Sequence, residues 1–310
     1  MYKDIALFYE PRAWFMSSCV CPPGEPEMTE FESAFLCGLI KERKPRKIVE
    51  VGVAAGGTTA IMLKCIEMLG MAENTEIYSV DLSERFYRGK GESSGYLAET
   101  ILHGNDVVFH HQFFLGRLLP EVIDEIGNSI DFLVLDTAHI LPGELLDFLT
   151  AYPYLATNAC VVLHDIANNH YFESPESFAT QVLFDAVVAD KILTKDKDRR
   201  LHYPNIGAFI INQDTGKYIS DVFNALVVTW SYKLDKRQRE SYYSSFQKHY
   251  DTNLVETFRN ICLLQDSTSV FRDEVKRQQL RVNERSYTWR VGNLILWIPR
   301  RVCHLLRCKR

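Results

Sequence analysis

The sequence predicts an α/β protein with a doubly wound sheet, mostly parallel, finished by an antiparallel hairpin and followed by a helical extension. Three observations carry this expectation. Short β-rich runs at 47–51, 76–81, 106–111, 130–136 and 159–165 alternate with helical stretches at about 57–70, 94–103, 115–126, 143–156 and 176–188. Repeated strand-then-helix units build a parallel sheet with helices on both faces. Lys191-Ile-Leu-Thr194 and Ile206-Gly-Ala-Phe-Ile-Ile-Asn212 are separated by too little chain for a crossover helix, so they pair antiparallel. Finally, Lys47-Ile-Val-Glu-Val-Gly-Val-Ala-Ala-Gly-Gly-Thr-Thr-Ala-Ile-Met-Leu63 reads as a buried strand, a glycine turn and the first turn of a helix.

Composition sets the bounds. A chain of 310 residues with 46% apolar content can bury a full-sized core and an appendage. A net charge of −5 argues against binding nucleic acid by bulk electrostatics. The eight cysteines, Cys19-x-Cys21 among them, show no zinc-type pairing and fit reduced thiols in a cytoplasmic setting. The first residues, with Asp4, Glu10 and Arg12, do not read as a signal peptide, and no stretch approaches the ~20 apolar residues of a membrane span.

Residues 1–46 are expected to hold a loop, marked by Pro22-Pro23-Gly24, and a cap helix over Thr29–Lys41. Thr29 with Glu32 makes a capping box, and Phe31, Phe35 and Leu39 recur at helical spacing. The domain proper is expected over 47–212. In its glycine turn, Gly52, Gly56 and Gly57 fit close backbone approach to a ligand, and the free N–H groups of a helix start suit a nucleotide-like cofactor. The spacing Glu50-x-Gly52-x-x-x-Gly56-Gly57 differs from the G-x-G-x-x-G of dinucleotide folds. It resembles the first motif of class I S-adenosylmethionine (SAM) dependent methyltransferases, Rossmann-like proteins in which an acid at the strand end faces the ligand. That resemblance implies SAM contacts from Glu50, Gly52, Ala54, Gly56 and Gly57. Asp81, ending Ile77-Tyr-Ser-Val-Asp81, is placed to accept hydrogen bonds from ribose hydroxyls. A parallel sheet closed by an antiparallel hairpin is also typical of that class.

Ligands of a doubly wound sheet meet the carboxyl ends of its strands. Asp131-Phe-Leu-Val-Leu-Asp136-Thr-Ala-His139 and Cys160-Val-Val-Leu-His164-Asp165 end adjacent strands, which brings Asp136, His139, His164 and Asp165 to one rim. Carboxylates beside imidazoles suit a divalent metal and a general base. His110, His111 and His170 have no evident partner. The D-x-x-H and H-D elements, with the glycine motif, resemble the family of macrolide-sugar and rhamnosyl O-methyltransferases and cephalosporin-hydroxylase-like proteins over roughly 29–212. The resemblance implies Asp136 and Asp165 as metal ligands and His139 as the base that removes a sugar hydroxyl proton. Its metal-dependent members carry two acids where this chain has His164-Asp165. Hard Mg²⁺ prefers oxygen ligands, so His164 is expected either to bind a softer ion such as Mn²⁺ or to orient the substrate.

Residues 213–285 are expected to be a helical extension in which Trp230, Tyr232, Tyr242, Tyr243 and Phe246 serve chiefly in packing, against the core or a second subunit of a homo-oligomer. Residues 286–310 form a basic amphipathic tail, with Leu294–Ile298 followed by Arg300, Arg301, Arg307, Lys309 and Arg310, suited to peripheral contact with an anionic bilayer. The tail resembles those of bacterial enzymes of cell-surface polysaccharide assembly. Together these readings give a SAM-dependent O-methyltransferase acting on a saccharide or glycan hydroxyl. A non-catalytic methyltransferase-like scaffold, or an enzyme with a different reaction at the same rim, such as hydroxylation or N-methylation, remains open beside it.

Overall fold

The structure, a computed structural model, describes residues 5–18, 26–104, 107–170, 175–194 and 202–285. The pair Cys19 and Cys21, the loop Pro22–Gly24 and the tail 286–310 lie outside the described residues. The chain divides into two compact units, Met1–Ile261 and Cys262–Arg310. All the elements of the candidate site belong to the first.

Helices α1 (Glu10–Ser18) and α2 (Glu30–Arg43) precede β1 (Lys47–Val51), α3 (Gly57–Met68), β2 (Glu76–Asp81), α4 (Tyr96–Gly104), β3 (His110–Leu115) and α5 (Leu119–Ile126). Then follow β4 (Ile130–Leu135), α6 (Gly143–Ala151), β5 (Leu155–His164), α7 (Ala179–Ala186), β6 (Asp190–Leu193) and β7 (Ile206–Ile210). Helices α8 (Gln213–Lys217), α9 (Ile219–Ala225), α10 (Lys236–His249) and α11 (Thr252–Arg285) complete the described chain. The sheet order is β3-β2-β1-β4-β5-β7-β6. β1 through β5 run parallel, while β7 pairs antiparallel with both β5 and β6. This is the expected Rossmann-like architecture with its hairpin edge.

The central strands are buried on both faces, so they read as apolar runs rather than alternating ones. Ile48, Phe132, Val134, Cys160 and Val162 pack with Phe35, Leu36, Leu39, Ile61, Ile66 and Phe15 into one continuous core. Helix α2 opens with the capping box expected: Thr29 Oγ1 accepts the Glu32 N–H at 3.3 Å, and Glu32 Oε2 accepts the Thr29 N–H at 2.7 Å. One strand departs from expectation. The β-rich run at 106–111 suggested β3 there, but the strand lies at His110–Leu115, and Val108 is 72% exposed. β3 is an edge strand with alternating burial, so its pairing with β2 outweighs the β-propensity of the Val107-Val108 pair.

Candidate active site

The period of two in a strand puts Ile48 and Glu50 of β1 on one face of the sheet. Pairing continues in register from Val51 to Leu135 and from Leu135 to Leu163, which sets Gly52, Asp136 and His164 side by side at the strand ends. There Gly52 and Asp136 meet a cavity of about 590 Å³, the size of a small-molecule site, which His164 does not itself line. Its wall includes Gly52, Ala54, Asp81, Asp136, His139 and Asp165.

At the β1 and β2 ends, backbone organises the wall. Asp81 Oδ2 accepts the Val53 and Ala54 N–H groups at 2.9 and 3.0 Å, and Oδ1 accepts that of Ser83 at 2.7 Å. The carboxylate thus staples the turn to β2 while facing the cavity. Two of these glycines also make room for protein backbone. A Cβ on Gly52 would stand 1.9 Å from the Asp136 carbonyl oxygen, and one on Gly56 would stand 2.7 Å from Gly95 Cα. Both also need positive φ, +94° and +86°. Gly56 and Gly57 do not line the cavity, and neither does Glu50. Glu50 points under the turn, fully buried, where its Oε2 accepts the Thr59 and Ser79 hydroxyls at 2.6 and 2.8 Å. Burial pushes its pKa up to about 8. The surfaces open to a cofactor here are the Gly52–Ala54 backbone, Asp81, Leu82 and Ser83. Gly56 heads α3 with no side-chain cap, leaving the helix's first N–H groups uncapped by a side chain. An acid-lined cavity beside such a turn fits the ribose and the cationic sulfonium of SAM.

The β4 and β5 ends are organised by charge. His164 lies between carboxylates: its Nδ1 is 2.8 Å from Asp136 Oδ1, and its Nε2 is 3.4 Å from Glu32 Oε2 and 3.7 Å from Asp165 Oδ1. His139 Nε2 is 3.3 Å from Asp165 Oδ2 and 3.6 Å from Asp136 Oδ1, while Nδ1 is 3.1 Å from Glu144 Oε1. His139 and Asp165 both adopt a left-handed backbone, φ 57° each, which L-residues visit rarely. For His139 the surrounding bonds hold it: its N–H goes to Glu144 Oε1 at 2.9 Å, and its carbonyl accepts the Ala179 N–H at 2.9 Å. Asn205, one residue before β7, donates its amide to Asp165 Oδ1 at 2.5 Å and to Glu32 Oε1 at 3.2 Å.

These contacts set the charges. Burial alone would lower the His164 pKa, but Asp136, Asp165 and Glu32 drive it well above the ordinary histidine value. Burial would raise Glu32, but His164 and Thr29 hold it down to about 2. Asp136 is likewise lowered against its burial, chiefly by His164. His139 is raised against its burial, first by Glu144 and then by Asp165 and Asp136.

All four rim residues expected from the sequence therefore come together, and three more join them. Glu32 was legible only as a capping acid, and nothing local marked Glu144 or Asn205. Two groups have donor atoms close enough for a cation, Asp136 with His139 and His164, and Glu32 with His164 and Asp165. The expected ligands Asp136, Asp165 and His164 are thus divided between two overlapping clusters that share the imidazole. Such mixed nitrogen and oxygen donors fit Mn²⁺ or a similar borderline ion rather than an all-oxygen Mg²⁺ site. An ion bound to His164 Nδ1 must displace the proton given to Asp136.

Over residues 49–166 the chain matches a family described as "Methyltransferase domain". Over this stretch the chain is similar to a methyltransferase domain. The match spans the glycine turn, Asp81, Asp136, His139, His164 and Asp165, and so covers both halves of the cavity rim. No curated protein matches the chain. Similar solved structures include the SAH-bound Podospora anserina methyltransferase PaMTH1 (12% identity, 66% of this chain and 87% of that one, TM-score 0.46). Others are an O-methyltransferase from Bacillus cereus in complex with SAH (15%, 68% and 93%, 0.41) and the MycE methyltransferase of the mycinamycin pathway with Mg, SAH and mycinamycin VI (12%, 69% and 56%, 0.43). Among the described residues, no helix is long and apolar enough to cross a membrane.

Proposed function

We propose that the methyltransferase domain transfers the SAM methyl group to a hydroxyl of a saccharide or related polyol, with His139 as the base. The observation that carries this reading is His139 itself. It stands on the cavity wall with Nε2 beside the Asp165 and Asp136 carboxylates, at 3.3 and 3.6 Å, and Nδ1 3.1 Å from Glu144 Oε1. With the neutral ring's proton on Nδ1, facing Glu144, Nε2 is left to accept a proton. In the reaction the methyl–sulfur bond breaks, the oxygen–methyl bond forms, and the hydroxyl proton passes to Nε2. The imidazolium so formed sits among Glu144, Asp165 and Asp136, the same groups that raise the His139 pKa.

Polar groups elsewhere on the wall suit a hydroxylated acceptor: Asn168, Ser177, Tyr232, Gln238 and Tyr242. A divalent ion held by Glu32, His164 and Asp165 would leave His139 free as the base and would lower the pKa of an acceptor hydroxyl bound to it. The test is His139→Gln, assayed with labelled SAM against methyl glycosides and nucleotide sugars, with SAM affinity followed by calorimetry. Turnover is expected to drop about 10²- to 10⁴-fold while SAM binding holds. Unchanged turnover refutes His139 as base. SAM binding with no transfer to any hydroxyl acceptor favours the scaffold reading.

A further inference from the structure

We infer that Asp147, held in place by Tyr242, binds the acceptor by accepting a hydrogen bond from a hydroxyl beside the one that is methylated. The inference rests on the O-methylation reading and names the part of the cavity that recognises the acceptor. Helix α6 begins at the base: Glu144, in its first turn, supports His139. Asp147 follows three residues later on the same side of the helix, about 4.5 Å further along its axis. Gly143, Leu146 and Asp147 all line the cavity, so this face of α6 runs from the proposed base to a second carboxyl group.

That carboxyl group is half-satisfied. Asp147 is 6% exposed, and its Oδ1 accepts the Tyr242 hydroxyl at 3.0 Å. Among the described residues no donor reaches Oδ2. Buried carboxylate oxygens ordinarily have partners, so one open toward a cavity is placed to take a hydrogen from what enters it. Burial, with the nearby Glu144 charge, raises the Asp147 pKa to about 7, and a hydroxyl donor at Oδ2 would favour its charged form.

The neighbouring wall is polar and tethered as well. Gln238 Oε1 accepts the Asp235 N–H at 2.9 Å, so its Nε2 donates to Tyr232 Oη at 3.0 Å. The Tyr232 hydroxyl in turn donates to Gln238 Oε1 at 3.2 Å, so the amide holds the phenol from both of its ends. The Tyr232 backbone is fixed by its N–H to the Leu141 carbonyl at 3.1 Å. Tyr232 and Gln238 thus form a tethered polar edge on the same cavity wall as Asp147. Tyr232, Gln238 and Tyr242 come from the chain after β7, so the segment read from sequence as packing completes the acceptor site.

The experiment compares wild type, Asp147→Asn and Tyr242→Phe with methyl hexopyranosides and catechol as acceptors, together with single-deoxy analogues of the sugar. Asp147→Asn is expected to raise acceptor KM about tenfold or more, with SAM affinity unchanged. The deoxy analogue that loses about tenfold in kcat/KM with wild type should lose less than about threefold with Asp147→Asn. Tyr242→Phe should raise acceptor KM in the same direction by about threefold, and it decides the matter if Asp147→Asn does not fold. An unchanged acceptor KM with a lowered melting temperature overturns the inference and leaves Asp147 and Tyr242 a clamp between α6 and α10. If wild type binds SAM yet methylates no probe, the O-methylation reading falls and this inference with it. If wild type methylates and the variants behave alike, the inference falls alone.

Discussion

Glu50 and Glu32 are both buried, at 0% and 3% exposure, and both lie beside ends of the central strands, yet their charges are set in opposite directions. Burial pushes Glu50 to about 8 because only the Thr59 and Ser79 hydroxyls oppose it. Glu32 is desolvated too, but His164 and the Thr29 N–H bring it to about 2. Burial raises any carboxyl pKa, and neutral donors offset only part of that effect. A protonated imidazole within 3.4 Å reverses it. The glycine-turn end is therefore close to neutral around Glu50, whereas the rim holds a histidine cation among three carboxylates. This division suits a domain that cradles a cofactor with backbone on one side and moves a proton on the other.

Replacing the cation breaks the comparison most severely. In His164→Leu, Asp136, Glu32 and Asp165 face one another without a positive charge, and removing one partner of a buried ion pair costs about 4 kcal/mol. The sign of the pH dependence follows from the shifts. His164 is raised, so its contribution is complete below about 6.5 and is lost as pH climbs through its folded value. Glu32 is lowered, so its contribution is complete above about 4.5 and is lost as pH falls toward 2. Urea denaturation near pH 6 with chelator present is therefore the most sensitive measurement. A loss under about 1 kcal/mol would show that His164 does not carry the charge ascribed to it.

Glu50→Gln probes the opposite end with a smaller effect of opposite sign. Above about pH 4.5 the unfolded glutamate loses its proton, while the folded one keeps it up to about 8. The native state binds more protons across that window, so stability falls as pH rises, by up to about 1.4 kcal/mol per unit. A glutamine has no proton to lose. The variant is expected to gain on wild type by on the order of 3 kcal/mol between pH 5 and pH 7.5. Urea midpoints at the two pH values measure this. Persistence of the wild-type slope in the variant would locate the titrating group elsewhere.

Most of the sheet was legible because its central strands are buried on both faces and their apolar runs are unbroken. The edge strand β3 was not, since its alternating His110-His-Gln-Phe-Phe-Leu115 competes with the more β-prone Val107-Val108 beside it. Asp136, His139, His164 and Asp165 could be grouped because strand ends in register are neighbours by construction. Glu32, Glu144, Asn205 and Asp147 could not. Their roles depend on how α2, α6 and β7 are laid against those ends, and no local pattern encodes that packing. The glycines show the converse ambiguity. A glycine that makes room for a ligand and one that makes room for the Asp136 carbonyl or for Gly95 look alike in sequence.

The smallest effect expected tests whether Glu32 owes its charge to the imidazole or to its own helix. In Thr29→Ala, the Glu32 N–H loses the Thr29 Oγ1 acceptor at 3.3 Å, which costs about 1 kcal/mol as for other N-cap residues. The Thr29 N–H remains, however, and still reaches Glu32 Oε2 at 2.7 Å, with His164 at 3.4 Å and the Asn205 amide on the other oxygen. Stability should therefore fall by nearly the same amount at every pH from about 7 down to 3, leaving the acid limb of the curve in place. A limb that moves toward neutral pH in Thr29→Ala would mean that the threonine hydroxyl, through the geometry of the first helical turn, holds the carboxylate charged. His164→Leu would then shift that limb little, and the contrast between the two glutamates would come from the helix start rather than from the cation.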